Sequence, residues 1–128
     1  MKEFNEWNEV KKLIDNRKNI INVKEREVYW ASIGENIGSE QNGKGSAFSR
    51  PILIVRKLNR NLFFGVPLST KNKEGSFFYN FHLNEEQSNA LLVQAKVFDV
   101  KRLDNKIGVV NRNDFDILRL KLKELLGF

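Results

Sequence analysis

Apolar residues recur along this chain with two periods. From the start, Phe4, Trp7, Val10 and Ile14 stand three and four apart, so they share one face of a helix over residues 2–19. Glu6, Glu9, Lys11, Lys12 and Asp15 charge the rest of that surface. The pattern predicts a helical unit at residues 1–20 that lies on the body of the protein as an added layer. Asn16–Glu25 is mostly polar and basic and reads as a connection.

The period then shortens. Arg26–Ile33 holds Val28, Trp30 and Ile33. Pro51–Lys57 holds Ile52-Leu53-Ile54-Val55, a continuous apolar run of the kind found in strands buried on both faces. Asn61–Leu68 carries Leu62, Phe63, Phe64, Val66 and Leu68, and the short polar Asn59-Arg60-Asn61 predicts a hairpin with the strand before it. Phe77–Leu83 alternates, with Phe77, Tyr79, Phe81 and Leu83 on one side and Phe78, Asn80 and His82 on the other. Ala90–Val97 reads as a further strand and Lys106–Val110 as a short sixth.

The helical period returns at the end. Asn113 is the predicted N-cap, and Asp114 and Asp116 suit the positive end of the helix dipole. Phe115, Leu118, Leu122 and Leu125 form a stripe for core packing. Short strands at close intervals with helices only at the ends predict a mainly β chain with α. The expected form is a small, strongly bent barrel over 26–110, preceded by the helix at 1–20 and followed by a helix over 113–126. No repeat and no linker divides the 128 residues, so a single domain, 1–128, is expected.

Composition adds a partner class. The formal net charge is +6 and the sequence pI ≈ 9.7, which favours a polyanionic or acidic partner, although charge alone speaks to encounter rather than to a site. The absence of cysteine excludes disulfides, thiolate metal sites and thiol nucleophiles. A sole histidine, His82, rules out a two-histidine nuclease mechanism within one subunit. Carboxylate pairs such as Glu85-Glu86 and Asp114/Asp116 have no matching ligands elsewhere, so neither a metal nor a cofactor is expected. No apolar run approaches the ~20 residues that cross a bilayer, and the start has no apolar signal core. The expected location is cytoplasmic, with no membrane partner.

The densest chemistry lies in residues 34–54. A polar, glycine-rich loop ends at Arg50, and an apolar strand starts after Pro51. Glycine lets backbone amides come close to a ligand. A guanidinium offers phosphate two parallel donors. Arg50 is therefore the candidate anion-binding group, against the plainer reading of a surface arginine at a strand edge. Gly38…Gly43-Lys44 has the spacing of a phosphate-binding P-loop, but Gly45 stands where Ser or Thr is required and no helix follows, so that reading is rejected.

Three blocks in order resemble the MazF/PemK toxin family: Glu27-Val28-Tyr29-Trp30-Ala31-Ser32-Ile33-Gly34, Gly38-Ser39-Glu40-Gln41-Asn42-Gly43, and Arg50-Pro51-Ile52-Leu53-Ile54-Val55. Val66-Pro67-Leu68-Ser69-Thr70, Gln94-Ala95-Lys96, Lys101-Arg102-Leu103 and Lys106-Ile107-Gly108 follow in the family's order, so the similarity runs over about residues 27–128. The N-terminal helix lies outside the common pattern. The resemblance implies an SH3-like small barrel (MazF/PemK/CcdB-like) with a C-terminal helix, and a homodimer. It also implies a metal-independent endoribonuclease toxin that cuts single-stranded RNA at short sequences and is held inactive by a cognate acidic antitoxin.

Carried over residue by residue, the resemblance makes Arg50 the key catalytic residue. It puts Ser69 where the family usually has a catalytic threonine, with Thr70 as the rival hydroxyl. Glu40 and Gln41 fall in the loop that helps bind RNA and shape the site, where Glu40 serves as a base or, more simply, as an anchor. Lys44, Phe48, Lys71, Lys73, Gln94 and Lys96 are the candidate RNA-binding residues, with Lys101 and Arg102 beside the backbone path and Phe48 or Phe78 available for base stacking. Taken singly, each lysine reads better as solvated basic surface. The chain departs from the family in two places. Six residues, Lys44–Ser49, separate Gly43 from Arg50, where the commonest pattern has fewer. Val93-Gln94-Ala95-Lys96 replaces Asp-Gln-x-Arg, so no mechanism through that aspartate applies. The alternatives are a CcdB-like gyrase poison and another non-catalytic SH3-like binding protein.

Overall fold

The computed structural model describes residues 21–33 and 49–127. The N-terminal helix expected at residues 1–20 lies outside the described residues, as does most of the glycine-rich loop. Strands β1 (Glu27–Ser32), β2 (Ser49–Lys57) and β3 (Leu62–Ser69) form an antiparallel centre. Then come β4 (Phe78–Leu83), β5 (Glu86–Leu91), β6 (Lys96–Asp99) and β7 (Leu103–Val109), and the chain ends in helix α1 (Arg112–Leu126). The sheet order is β4-β5-β3-β2-β1-β7, with β6 paired to β3 off this path, and the sheet curls into a half-barrel. The mainly β architecture with a C-terminal helix read from the sequence is the one observed.

The apolar run of β2 explains why the sheet curls around two cores. Leu53 and Val55 point into one cluster with Val28, Val66 and Leu68, against which α1 lays Phe115, Leu118 and Leu122. Ile52 and Ile54 point the other way, into a second cluster with Tyr29, Phe63, Phe98 and Leu103. A stretch buried on both faces needs apolar residues at every position, and β2 has them from Ile52 to Val55. The predicted β2–β3 hairpin is present. Asn59 Oδ1 accepts from the amides of Asn61 at 2.8 Å and Leu62 at 2.9 Å, which closes the turn.

Elsewhere the structure corrects the sequence reading. β2 begins at Ser49, so Arg50 stands inside a strand rather than at its mouth. Ala90–Val97 is not one strand: β5 ends at Leu91, a 3-10 turn (Leu92–Gln94) intervenes, and β6 starts at Lys96. β5 begins upstream because Asn84 and Glu85 both take left-handed backbone (φ 52 and 67) and make the two-residue turn that returns β4 into β5. The final strand starts at Leu103, earlier than Lys106. The helix starts earlier as well. Asn111, not Asn113, is the N-cap, and its side chain accepts from the Asp114 amide at 2.8 Å. Gly127 ends α1 in a left-handed conformation (φ 84) that suits glycine.

Candidate active site

The antiparallel registers of β1, β2 and β3 assemble the site. Trp30 lies opposite Pro51 and Ala31 opposite Arg50. On the other side Ile52 pairs with Pro67, so Arg50 and Ser69 lie just beyond the same end of the β2–β3 ladder. β3 changes partner along its length, pairing β6 from Leu62 to Gly65 and β5 at Leu68 and Ser69. Pro67, which has no N–H to give, sits between the two pairings.

Arg50 is only 4% exposed, and its Nη1 donates to the Leu68 carbonyl at 3.1 Å. Burial lowers its pKa from the ordinary value. A guanidinium starts so far above neutrality that it stays a cation, and one already stripped of water is a strong electrostatic partner.

The next turn is fixed from both sides. Ser69 Oγ accepts from the Lys71 amide at 3.1 Å, and the buried Asn89 of β5, opposite Ser69 in register, donates from Nδ2 to the Lys71 carbonyl at 3.1 Å. The Ser69 hydroxyl keeps its own proton for another acceptor. Arg50, Ser69 and Thr70 line one cavity of ≈ 140 Å³ together with Trp30, Pro51 and Ser88.

The sequence-predicted residues thus fall into three groups. Arg50, Ser69 and Thr70 are brought together. Lys71 and Lys73 are exposed on the segment that leaves Ser69, and Lys73 Nζ lies 5.6 Å from the centre of the Phe78 ring. Gln94 and Lys96 lie outside the cavity lining, with Lys96 Nζ 5.3 Å from the Phe98 ring centre. Glu40, Gln41, Lys44 and Phe48 lie outside the described residues. Among the described residues, no three His, Cys, Asp or Glu side chains group as metal ligands. No helix among them is long and apolar enough to cross a membrane.

Trp30 and Ser88 were not singled out by sequence. In sequence Trp30 reads with the apolar residues of its strand, yet it is 42% exposed while every other residue of β1 is buried. The available signal was its place in the first of the resembling blocks, one strand away from Arg-Pro. Ser88 carried no signal, because a serine in a polar strand looks like any other.

A family model described as PemK-like, MazF-like toxin of type II toxin–antitoxin system matches residues 24–126. No curated protein matches the chain. Among solved structures, a MazF from Deinococcus radiodurans superposes with a TM-score of 0.68 at 18% identity, covering 87% of this chain and 100% of that one. The MazE–MazF structure from the same organism gives 0.64 at 15% identity, covering 87% and 99%. A mycobacterial endoribonuclease in complex with its cognate antitoxin gives 0.64 at 15% identity, covering 84% and 97%. At these identities the likeness is one of fold.

Proposed function

The chain belongs to the PemK-like, MazF-like toxins of type II toxin–antitoxin systems, and from that premise we propose that it is a metal-independent endoribonuclease that cleaves single-stranded RNA at short sequences. The observation that carries the reading is a buried guanidinium and a fixed hydroxyl lining one small cavity beside an exposed tryptophan.

RNA supplies its own nucleophile. The 2′-oxygen attacks the adjacent phosphorus and loses its proton, the bond from phosphorus to the 5′-oxygen breaks, and that oxygen takes up a proton. The products are a 2′,3′-cyclic phosphate and a 5′-hydroxyl. The protein must hold the reacting oxygens in line, stabilise charge on the phosphorane and move two protons. In this proposal Arg50 stabilises the charge, and it is the group from which the departing oxygen takes its proton. The Ser69 hydroxyl donates to a nonbridging oxygen. Trp30 stacks a neighbouring base. The described residues lining the cavity include no carboxylate or imidazole, so removal of the 2′-proton falls to Glu40 or to water.

The chain would act in the cytoplasm as a homodimer with a cognate acidic antitoxin. The net charge of +6 suits both an RNA substrate and an acidic inhibitor. The mycobacterial relative solved with its antitoxin supports the second partner. The test is incubation of purified protein with mixed-sequence RNA in EDTA. Fragments ending in cyclic phosphate, and their loss in Arg50→Ala, are the expected result. Intact RNA with folded protein overturns the reading.

A further inference from the structure

Three polar side chains form a rung across the sheet beside the Arg50 cavity. Ser69 of β3 pairs with Asn89 of β5, and Asn89 pairs with Asn80 of β4. Residues directly opposite in antiparallel strands project from the same face. The segment that leaves Ser69 is bonded to this rung in three places. Ser69 Oγ accepts from the Lys71 amide at 3.1 Å, Asn89 Nδ2 donates to the Lys71 carbonyl at 3.1 Å, and Asn80 Nδ2 donates to the Lys73 carbonyl at 2.7 Å. Lys71 is thus gripped at its amide by Ser69 and at its carbonyl by Asn89.

Asn89 is the odd member of the rung. It is fully buried, where asparagine is uncommon. Its Nδ2 is committed to Lys71, and its Oδ1 finds no hydrogen-bond partner among the described residues. Asn80 next to it is better served, since its Oδ1 accepts from Gln87 Nε2 at 3.4 Å. A buried acceptor left unmet costs stability, and leucine, of nearly the same shape, would leave none. Fold stability alone therefore gives no reason for an amide here. The reason lies one bond away. A serine hydroxyl rotates among three staggered wells with no β-branch to restrain it. The Lys71 amide selects one of them for Ser69, but only if Lys71 is itself held.

We infer that Asn89 is a positioning residue for RNA cleavage: its amide fixes Lys71, and Lys71 fixes the rotamer in which Ser69 offers its proton to the phosphate. This role presupposes the cleavage reaction proposed above and is exerted wholly through Ser69.

A double-mutant cycle tests it. Asn89→Leu removes the donor to Lys71 and the unmet acceptor together, so the melting midpoint is expected to hold or rise. Single-turnover cleavage of RNA at saturating protein is expected to fall roughly tenfold, less than the loss of the Ser69 hydroxyl itself. With Ser69→Ala already present, adding Asn89→Leu should change the rate by no more than about twofold, since no hydroxyl is left to position. Asn89→Ala, which cannot overpack, should show the same non-additivity. Losses that multiply in the double variants overturn the proposal, because Asn89 would then act through the fold. The Lys71 amide gives a readout that needs no RNA. Its hydrogen exchange, followed by nitrogen-15 NMR, should quicken in Asn89→Leu, and an unchanged rate overturns the proposal as well. If the unsubstituted protein leaves RNA intact, the ribonuclease reading fails, and the Lys71 exchange rate still decides whether Asn89 holds this segment.

Discussion

The Arg50 guanidinium donates to the Leu68 carbonyl at 3.1 Å, so the cation of β2 is tied to the residue immediately before Ser69 in β3. That hydrogen bond holds the charge against the strand that carries the hydroxyl, and both line one cavity. Arg50→Ala removes the cation and is expected to cut RNA cleavage by ~10³-fold or more, in the range of arginines that stabilise transferring phosphoryl groups. It also removes a buried hydrogen bond, at a cost of about 1–3 kcal/mol. Arg50→Lys keeps the charge without the planar fork and should recover little of the rate. Single-turnover cleavage alongside thermal melts separates the chemical loss from the structural one.

Ser69 and Thr70 both line the cavity, and the Ser69 hydroxyl is tethered by the Lys71 amide at 3.1 Å. Ser69 is half-buried and Thr70 is exposed. A held hydroxyl is worth more than a mobile one in a transition state. Ser69→Ala is expected to slow cleavage by about 10²-fold, Thr70→Ala to leave it near the unsubstituted rate, and Ser69→Thr to restore activity. If Thr70→Ala proves the more damaging of the two, the roles are reversed.

Trp30 projects from a strand whose other residues are all buried, and it faces the cavity beside Pro51. A base stacked on it contributes about 1–3 kcal/mol. Trp30→Ala should weaken binding of an uncleavable RNA by that amount. The melting midpoint should hardly move, because little of the core rests on an exposed ring. Fluorescence anisotropy with a 2′-deoxy substrate measures the first and circular dichroism the second.

The parts of the fold legible in sequence are those where one residue type serves one purpose. β2 reads correctly because both of its faces are buried, so every position from Ile52 to Val55 is apolar. The stripe of α1 reads correctly because it packs on one cluster. β5 is invisible because its first four residues, Glu86-Gln87-Ser88-Asn89, are polar, and its turn uses left-handed Asn84 and Glu85 without a glycine to announce it. Asn89 is fully buried, and the partner of its amide group is a backbone carbonyl eighteen residues earlier, a tertiary fact with no local signature. The motif marked Arg50, but its burial depends on Leu68, which no spacing rule connects to it.

Gly65 marks where β2 and β3 press together. A Cβ there would stand 2.7 Å from Phe63 Cε2 and 2.8 Å from Ile52 Cγ2. Phe63 cannot easily swing aside, since its ring stacks on Phe98 with centroids 5.6 Å apart. Gly65→Ala is expected to destabilise the fold by ~1–3 kcal/mol through overpacking. Urea denaturation should show a lower midpoint with an unchanged slope. An unshifted midpoint would mean that this strand pair has room to give.

Glu27 anchors the start of the barrel. Its Oε1 accepts from the Lys24 amide at 2.7 Å and from the Tyr29 hydroxyl at 3.0 Å, and its Oε2 meets Lys106 Nζ at 2.7 Å. Burial pushes the carboxyl up, but the hydrogen bonds from Lys106, Lys24 and Tyr29, with the Lys106 charge, outweigh it and hold the group below its ordinary value. A carboxyl depressed on folding stabilises the protein above its unfolded pKa and loses that contribution as pH falls through the folded one. Tyr29, pushed up to about 12 by burial and by Glu27, remains a neutral donor throughout this range. Glu27→Gln should therefore cost about 1–2 kcal/mol at neutral pH, the worth of hydrogen bonds to a charged acceptor with one partner partly in water. The gap between the two proteins should close as pH falls below the ordinary glutamate range and through the lowered folded-state pKa, where the native carboxyl itself takes a proton. Melting curves recorded from neutral pH down to the acid limb test this, and parallel curves with a constant gap would show that the carboxylate charge contributes nothing.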